Sequence, residues 1–227
     1  MKQQEVLNAY RAFWASYQKL CHSAGVVSKP TNGTHIQIST NRATAGKVVI
    51  ESHLYMPNWR SRGGAPSDLV HILINSLETY TLATRSISKS TVQVMYSKTV
   101  GTKASPMLAL HYDYQADVQA AHPLFHAQFG MGDFSSPNFG AMGFRFTLAK
   151  PPKDLVYSSV RIPTPNMNLI SVLLGLAADH LDPKFFNQFL KLVKESPLTK
   201  WNAQCEALDA SLKGGGRLPS HHWYANV

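Results

Sequence analysis

Between Leu108 and Gly130 the chain gathers three histidines, two aspartates and two tyrosines among short apolar runs. His111, Asp113, His122 and His126 are the side chains there best suited to chemistry. Imidazole changes its charge near neutral pH, and a neighbouring carboxylate favours the charged ring and can orient it. A histidine pair can take the 2′-hydroxyl proton of RNA and protonate the leaving oxygen, without a metal. In that reading His126 and His122 are base and acid in some order, and Asp113 orients a histidine. Arg161 or Arg145 would steady the phosphorane charge. The bland alternative is a set of buried, hydrogen-bonded histidines with no chemistry.

The elements around these residues decide whether they can meet. Met107–Tyr114 alternates as a strand, with Leu108, Leu110, Tyr112 and Tyr114 on one face and Ala109, His111 and Asp113 on the other. Residues 122–130 allow two readings. As a helix, His122 and His126 stand one turn apart and could share a metal. As a strand they are about 13 Å apart at 3.3 Å per residue and could not. The ending Gln128-Phe129-Gly130 favours the strand. There is no HExxH and no Cys/His cluster, so no metal and no cofactor are expected; His111, Asp113 and His126 could converge only through the tertiary fold. The Gly/Ser/Phe-rich stretch Met131–Gly143 matches no nucleotide-binding motif and reads as an irregular loop beside the candidate site.

Charge suggests the partner. The 22 Lys+Arg against 13 Asp+Glu give +9, which suits a polyanion, nucleic acid being the commonest. Pro57–Pro66 reads as a basic, glycine-containing loop in which Trp59 could stack a base while Arg60 and Arg62 grip phosphate; an ordinary surface loop is the alternative. Arg145 is a further candidate for nucleic-acid contact. Charged residues are only 15% of the chain, low for a soluble protein, so a protein partner covering part of the surface is also plausible. Cys21 and Cys205 fall on apolar helical stripes and read as buried hydrophobes in a reducing compartment. The first residues have no apolar signal core, and the apolar run 169–178 is too short to span a bilayer. A cytoplasmic protein with no membrane association is expected.

The remaining pattern predicts an α+β fold: an N-terminal helix, a mainly antiparallel β-sheet and a C-terminal three-helix segment packed on it. Residues 1–163 supply helix and sheet, 164–213 the helices of the same domain, and 214–227 a tail. Residues 3–24 carry an apolar stripe of Val6, Leu7, Tyr10, Phe13, Trp14, Tyr17, Leu20 and Cys21. Residues 34–40 and 47–55 read as a hairpin, and 91–100 as a strand. Residues 69–82 stay open, since length favours helix and β-branching favours strand. Three helix starts pair a capping residue with proline: Thr164-Pro165, Asp182-Pro183 and Ser196-Pro197.

Tyr112-Asp113-Tyr114, His122-Pro123-Leu124-Phe125-His126 and Arg161-Ile162-Pro163 before an apolar helix together resemble an uncharacterised bacterial family with a Tyr-x-Tyr / His-Pro-x-x-His / Arg-x-Pro pattern. Over about residues 108–190 the plan is also distantly similar to TumE-like toxins. Where such relatives tend to carry Arg-x-Asp before the histidines, this chain has Asp113 and Asp117. The resemblance implies an α+β domain with histidines on its central strands, placed in a toxin–antitoxin, mobile-element or phage-defence system. The functional expectation is a basic nucleic-acid-associated protein of such a system. The alternatives are a metal-independent histidine ribonuclease and an adaptor or inhibitor subunit of a complex.

Overall fold

A computed structural model describes residues 2–24, 35–39, 46–60, 69–115, 125–130, 134, 137–149, 161–163 and 168–202. It is α+β, as the pattern predicts. Helix α1 (Gln3–Ser23) is followed by strands β1 (His35–Ser39), β2 (Lys47–Arg60), β3 (Leu69–Thr81), β4 (Ser86–Val100), β5 (Lys103–Gln115) and β6 (Phe125–Phe129). A short helix α2 (Pro137–Ala141), strands β7 (Thr147–Leu148) and β8 (Arg161–Pro163), and helices α3 (Leu169–His180), α4 (Pro183–Glu195) and α5 (Pro197–Asn202) complete the order. Among the described residues the strands form one sheet in the order β1-β2-β3-β4-β5-β6-β8, every neighbour antiparallel, with β7 parallel to the far end of β5. No described helix is long and apolar enough to cross a membrane.

Residues 69–82, open to either element in the sequence, form β3. Five consecutive residues, Val70 to Ile74, are buried there. A strand covered on both faces shows no alternation, and this is why periodicity could not separate it from a helix. Residues 125–129 likewise form a strand, as favoured. Two of the three cap-plus-proline starts hold. The Asp182 carboxylate accepts from the Lys184 and Phe185 amides at 3.0 and 3.4 Å, and the Ser196 hydroxyl accepts from Leu198 at 3.2 Å. Thr164-Pro165 lies outside the described residues. Helix α3 starts at Leu169, where the Asn168 side chain accepts from the Ser171 amide at 3.0 Å. Asparagine offers the same oxygen to a free helical N–H without needing proline.

The two faces of the sheet differ. One carries Val48, Ile50, Leu54 and Met56 of β2, Ile72 and Ile74 of β3, and Val92 and Val94 of β4, packed with α1, α3, α4 and α5 into the main core. The stripe of α1 is buried there as predicted, except that Leu7 only borders the core and Ala9 joins it. Phe13 and Tyr17 meet Phe189 of α4 edge-on. Cys21 is buried, and burial pushes its thiol up to about 12, so it serves as a small hydrophobe. The other face has a smaller core at one end: Tyr55, Leu73, Met95, Ala104 and Ala109 under Phe134, Phe139, Met142 and Phe144. The stretch expected as an irregular loop thus contains a short helix and covers part of the sheet.

Glu78 of β3 is fully buried on the helix side. Its carboxyl accepts from the Tyr10 hydroxyl of α1, from Ser90 of β4 at 3.3 Å and from the Leu169 amide of α3 at 3.1 Å; Tyr80 lies 2.6 Å from the Tyr10 oxygen. Burial raises the Glu78 carboxyl above its ordinary value, and the three hydrogen bonds oppose that rise. A group whose value is raised by folding stabilises the fold below its unfolded value and loses that contribution as pH rises through the folded one. Urea unfolding at a series of pH values should therefore show stability falling as pH rises from the ordinary carboxylate range upward. Glu78→Gln should flatten that fall, while Glu78→Ala, which strands the groups that meet the carboxyl, should cost about 3 kcal/mol or more.

Candidate functional site

Antiparallel register aligns polar residues into rows across the second face. One row runs Gln37, His53, Asn75, Gln93, His111, Gln128, Arg161, one residue from each strand of the path from β1 to β8. The next row runs Ser39, Glu51, Leu77, Thr91, Asp113, His126, Pro163. Beyond the first row the face turns apolar, with Tyr55, Leu73, Met95 and Ala109 under the covering segment. Side chains two apart on a strand share a face, and register brings their partners beside them. The face is therefore half covered and half polar.

His111 and Asp113 lie two apart on β5, and His126 of β6 stands directly opposite Asp113. Both rings turn Nε2 toward the same carboxylate oxygen: Asp113 Oδ2 is 3.2 Å from His111 Nε2 and 3.6 Å from His126 Nε2. The ring centroids are 6.2 Å apart and nearly perpendicular. Exposure is graded: the His126 side chain is 3% exposed, His111 21% and Asp113 29%. The trio thus grades from the buried ring of His126 to the part-exposed groups of His111 and Asp113. One potential ligand atom from each residue lies within 4.8 Å of the other two, a grouping able to hold a metal ion.

Other histidines of this face have structural settings. His71 meets the Tyr55 hydroxyl at 2.8 Å and Thr99 at 3.3 Å beneath Phe146. His53 lies 3.5 Å from Glu51 and edge-on to Phe139. Burial lowers both imidazoles, with Glu51 opposing the shift at His53. Gln93 and Asn75 continue the row, their amides 3.5 Å apart.

The structure brings together three of the five residues expected to carry chemistry: His111, Asp113 and His126. Arg161 is described by its backbone, which stands opposite Gln128, itself opposite His111. His122 lies outside the described residues, and so does Arg62. The nucleic-acid set needs correction. Trp59 is not in a loop but near the end of β2, completely buried and edge-on to His180 at 5.3 Å. It has no free ring face on which a base could stack. A bulge between Met56 and Trp59, with Asn58 at φ 56°, inserts a residue and turns Trp59 onto the helix side of the sheet. The signal was the dipeptide Pro57-Asn58, since asparagine tolerates positive φ better than most residues. Arg60 is the last residue of that strand, and Arg145 is exposed beyond α2, outside any strand. The partners in the polar rows, Thr91, Gln93, Asn75 and Gln128, were not found from sequence because cross-strand register is not written in any one strand.

No family model, no curated protein and no solved structure matches the chain. The reading of the site therefore stands on its geometry.

Two substitutions separate site from scaffold. Trp59→Ala should lower unfolding free energy by about 3–5 kcal/mol through the cavity it leaves. Asp113→Asn, at a part-exposed position, should change it by less than about 1 kcal/mol. Chemical denaturation of the two variants beside the parent protein checks both.

Proposed function

We propose that the protein binds nucleic acid across the open end of the polar sheet face and cleaves its phosphodiester backbone there, with His111, Asp113 and His126 as the reacting groups. The observation that carries this reading is the convergence of two imidazoles on one part-exposed carboxylate oxygen. The net charge of +9 supports a polyanionic partner. Lys89, exposed and opposite Gln115, is two residues along β4 from Thr91, the cross-strand partner of Asp113, so a cation flanks the trio on its own strand pair. The TumE resemblance supports a cytoplasmic role in a bacterial toxin–antitoxin, mobile-element or defence system.

Binding to single-stranded RNA and DNA should weaken at least about tenfold between about 50 and 200 mM salt, as counterion release requires. Affinity indifferent to salt would remove the nucleic-acid reading. End-labelled RNA and DNA should identify the substrate, and Asp113→Asn should slow cleavage about 100-fold or more while leaving the protein folded. Cleavage unchanged in that variant would remove the trio from the chemistry.

A protein partner has its own observation. At the β4–β5 hairpin, Val100 is 77% exposed and Met107 58%. Covering both with a partner would remove apolar surface from water. Co-purification of a polypeptide that is lost when both are changed to serine would support a complex; a monomer unaffected by the change would not.

A further inference from the structure

The spacing within the trio distinguishes two uses of the same residues. A charge-assisted N–H···O bond between imidazole and carboxylate is about 2.7–2.9 Å long. The two separations here are longer, 3.2 and 3.6 Å. Donor atoms about 2.0–2.1 Å from a tetrahedral ion stand about 3.3–3.4 Å from each other. The observed pair brackets that value. The two imidazole nitrogens, within 4.8 Å of one another, need close by at most about 1.5 Å to complete the triangle.

The geometry points to a metal site: His111 and His126 through Nε2 and Asp113 through Oδ2 hold one divalent transition ion of the zinc class. Two imidazoles and a single carboxylate suit a borderline ion and disfavour magnesium and calcium, which prefer oxygen ligands throughout. Three protein ligands leave a position free, as in catalytic rather than structural centres. The gradient of exposure puts that free position at the rim, on the side of His111 and Asp113, with His126 closing the floor. The strands supply the rigidity such a site needs, since two ligands sit at i and i+2 of β5 and the third is the register partner of one of them. Glu51 and His53, the other acid–imidazole pair of this face, offer two donors rather than three, and His53 is sealed under Phe139.

This inference concerns the residues of the proposed active site, but it does not require nucleic acid as the substrate. The full-length protein, stripped with a chelator, is titrated calorimetrically with Zn²⁺ and then, as an optical probe of coordination, with Co²⁺. One ion per chain should bind, undisturbed by millimolar Mg²⁺. Asp113→Asn and His126→Gln should each weaken Zn²⁺ binding at least about 100-fold, beyond the tenfold to hundredfold typical of losing a supporting outer group. His111→Gln serves the same purpose should the buried His126 variant misfold. Glu51→Gln should bind as the parent does. So should the double variant His221→Gln, His222→Gln, which removes the paired histidines of the tail. Absence of saturable binding overturns the site, as does affinity that survives loss of Asp113 or disappears with the tail pair. The titration contains no nucleic acid, so its failure leaves the proposed binding and cleavage standing, and their failure leaves the metal site standing.

Discussion

A carboxyl group with no exposure to water holds the fold together. Glu78 sits mid-strand on β3, where an apolar residue would ordinarily fill the space, and it joins four elements at once: its own strand, β4 through Ser90, α1 through Tyr10, and the first amide of α3 through Leu169. A buried acid without partners would cost several kcal/mol. Here each hydrogen bond offsets part of that cost only if the helices lie where they do, so the acid selects one docking of α1 and α3 over any sliding alternative. The free amide at the start of α3 is a natural partner for it, since helix N-termini present unsatisfied donors and a positive dipole end.

That docking has a consequence on the far side of the sheet. With the helices committed to the face of Glu78, the odd-numbered residues of β3 and their register partners face the other way. There the short segment around α2 covers one end, and at the other Thr91, His111 and Asp113 are part-exposed. The polar rows lie in that half-covered zone. Histidines under the cover, His53 and His71, have their imidazoles lowered by burial and packed against aromatic rings. Those beyond it meet Asp113. One sheet face thus yields both structural and candidate catalytic histidines: His53 and His111 share a register row, but Phe139 packs on His53 of β2 while His111, on β5, meets Asp113.

Much of this was legible in the sequence, and the rest was hidden for identifiable reasons. The stripe of α1, the alternation of β5 and the capping at Asp182 and Ser196 are local signals with periods a single segment can show. His111 and Asp113 on one face followed directly from spacing. His126 opposite Asp113 did not, because pairing β6 with β5 in that register depends on the chain between them, and a shift of one residue would have sent His126 to the other face. The misplacement of Trp59 has the same origin. A basic, glycine-containing stretch with a tryptophan looks like a loop, and only the bulge at Asn58 shows that the strand runs on and rotates its last aromatic into the core. Charge and composition suggest a polyanionic partner but carry no information on where it would bind.

The electrostatics of the trio connect the two proposals. Asp113 alone presents a negative charge at the rim, and a phosphodiester brought to it would be repelled, whatever the net charge of the chain at longer range. Lys89, on the same strand pair, would favour a polyanion, while the field of lysines farther off falls away within about 8–10 Å at ordinary ionic strength. Imidazoles that ligate a cation are neutral, so a divalent ion in the trio would more than offset the single carboxylate and leave the site positive. Phosphate would then be drawn to the place where the chain's free coordination position opens. A divalent ion would supply such an inversion, and of the groupings among the described residues of this face, His111, Asp113 and His126 have the donor types and spacing to hold one.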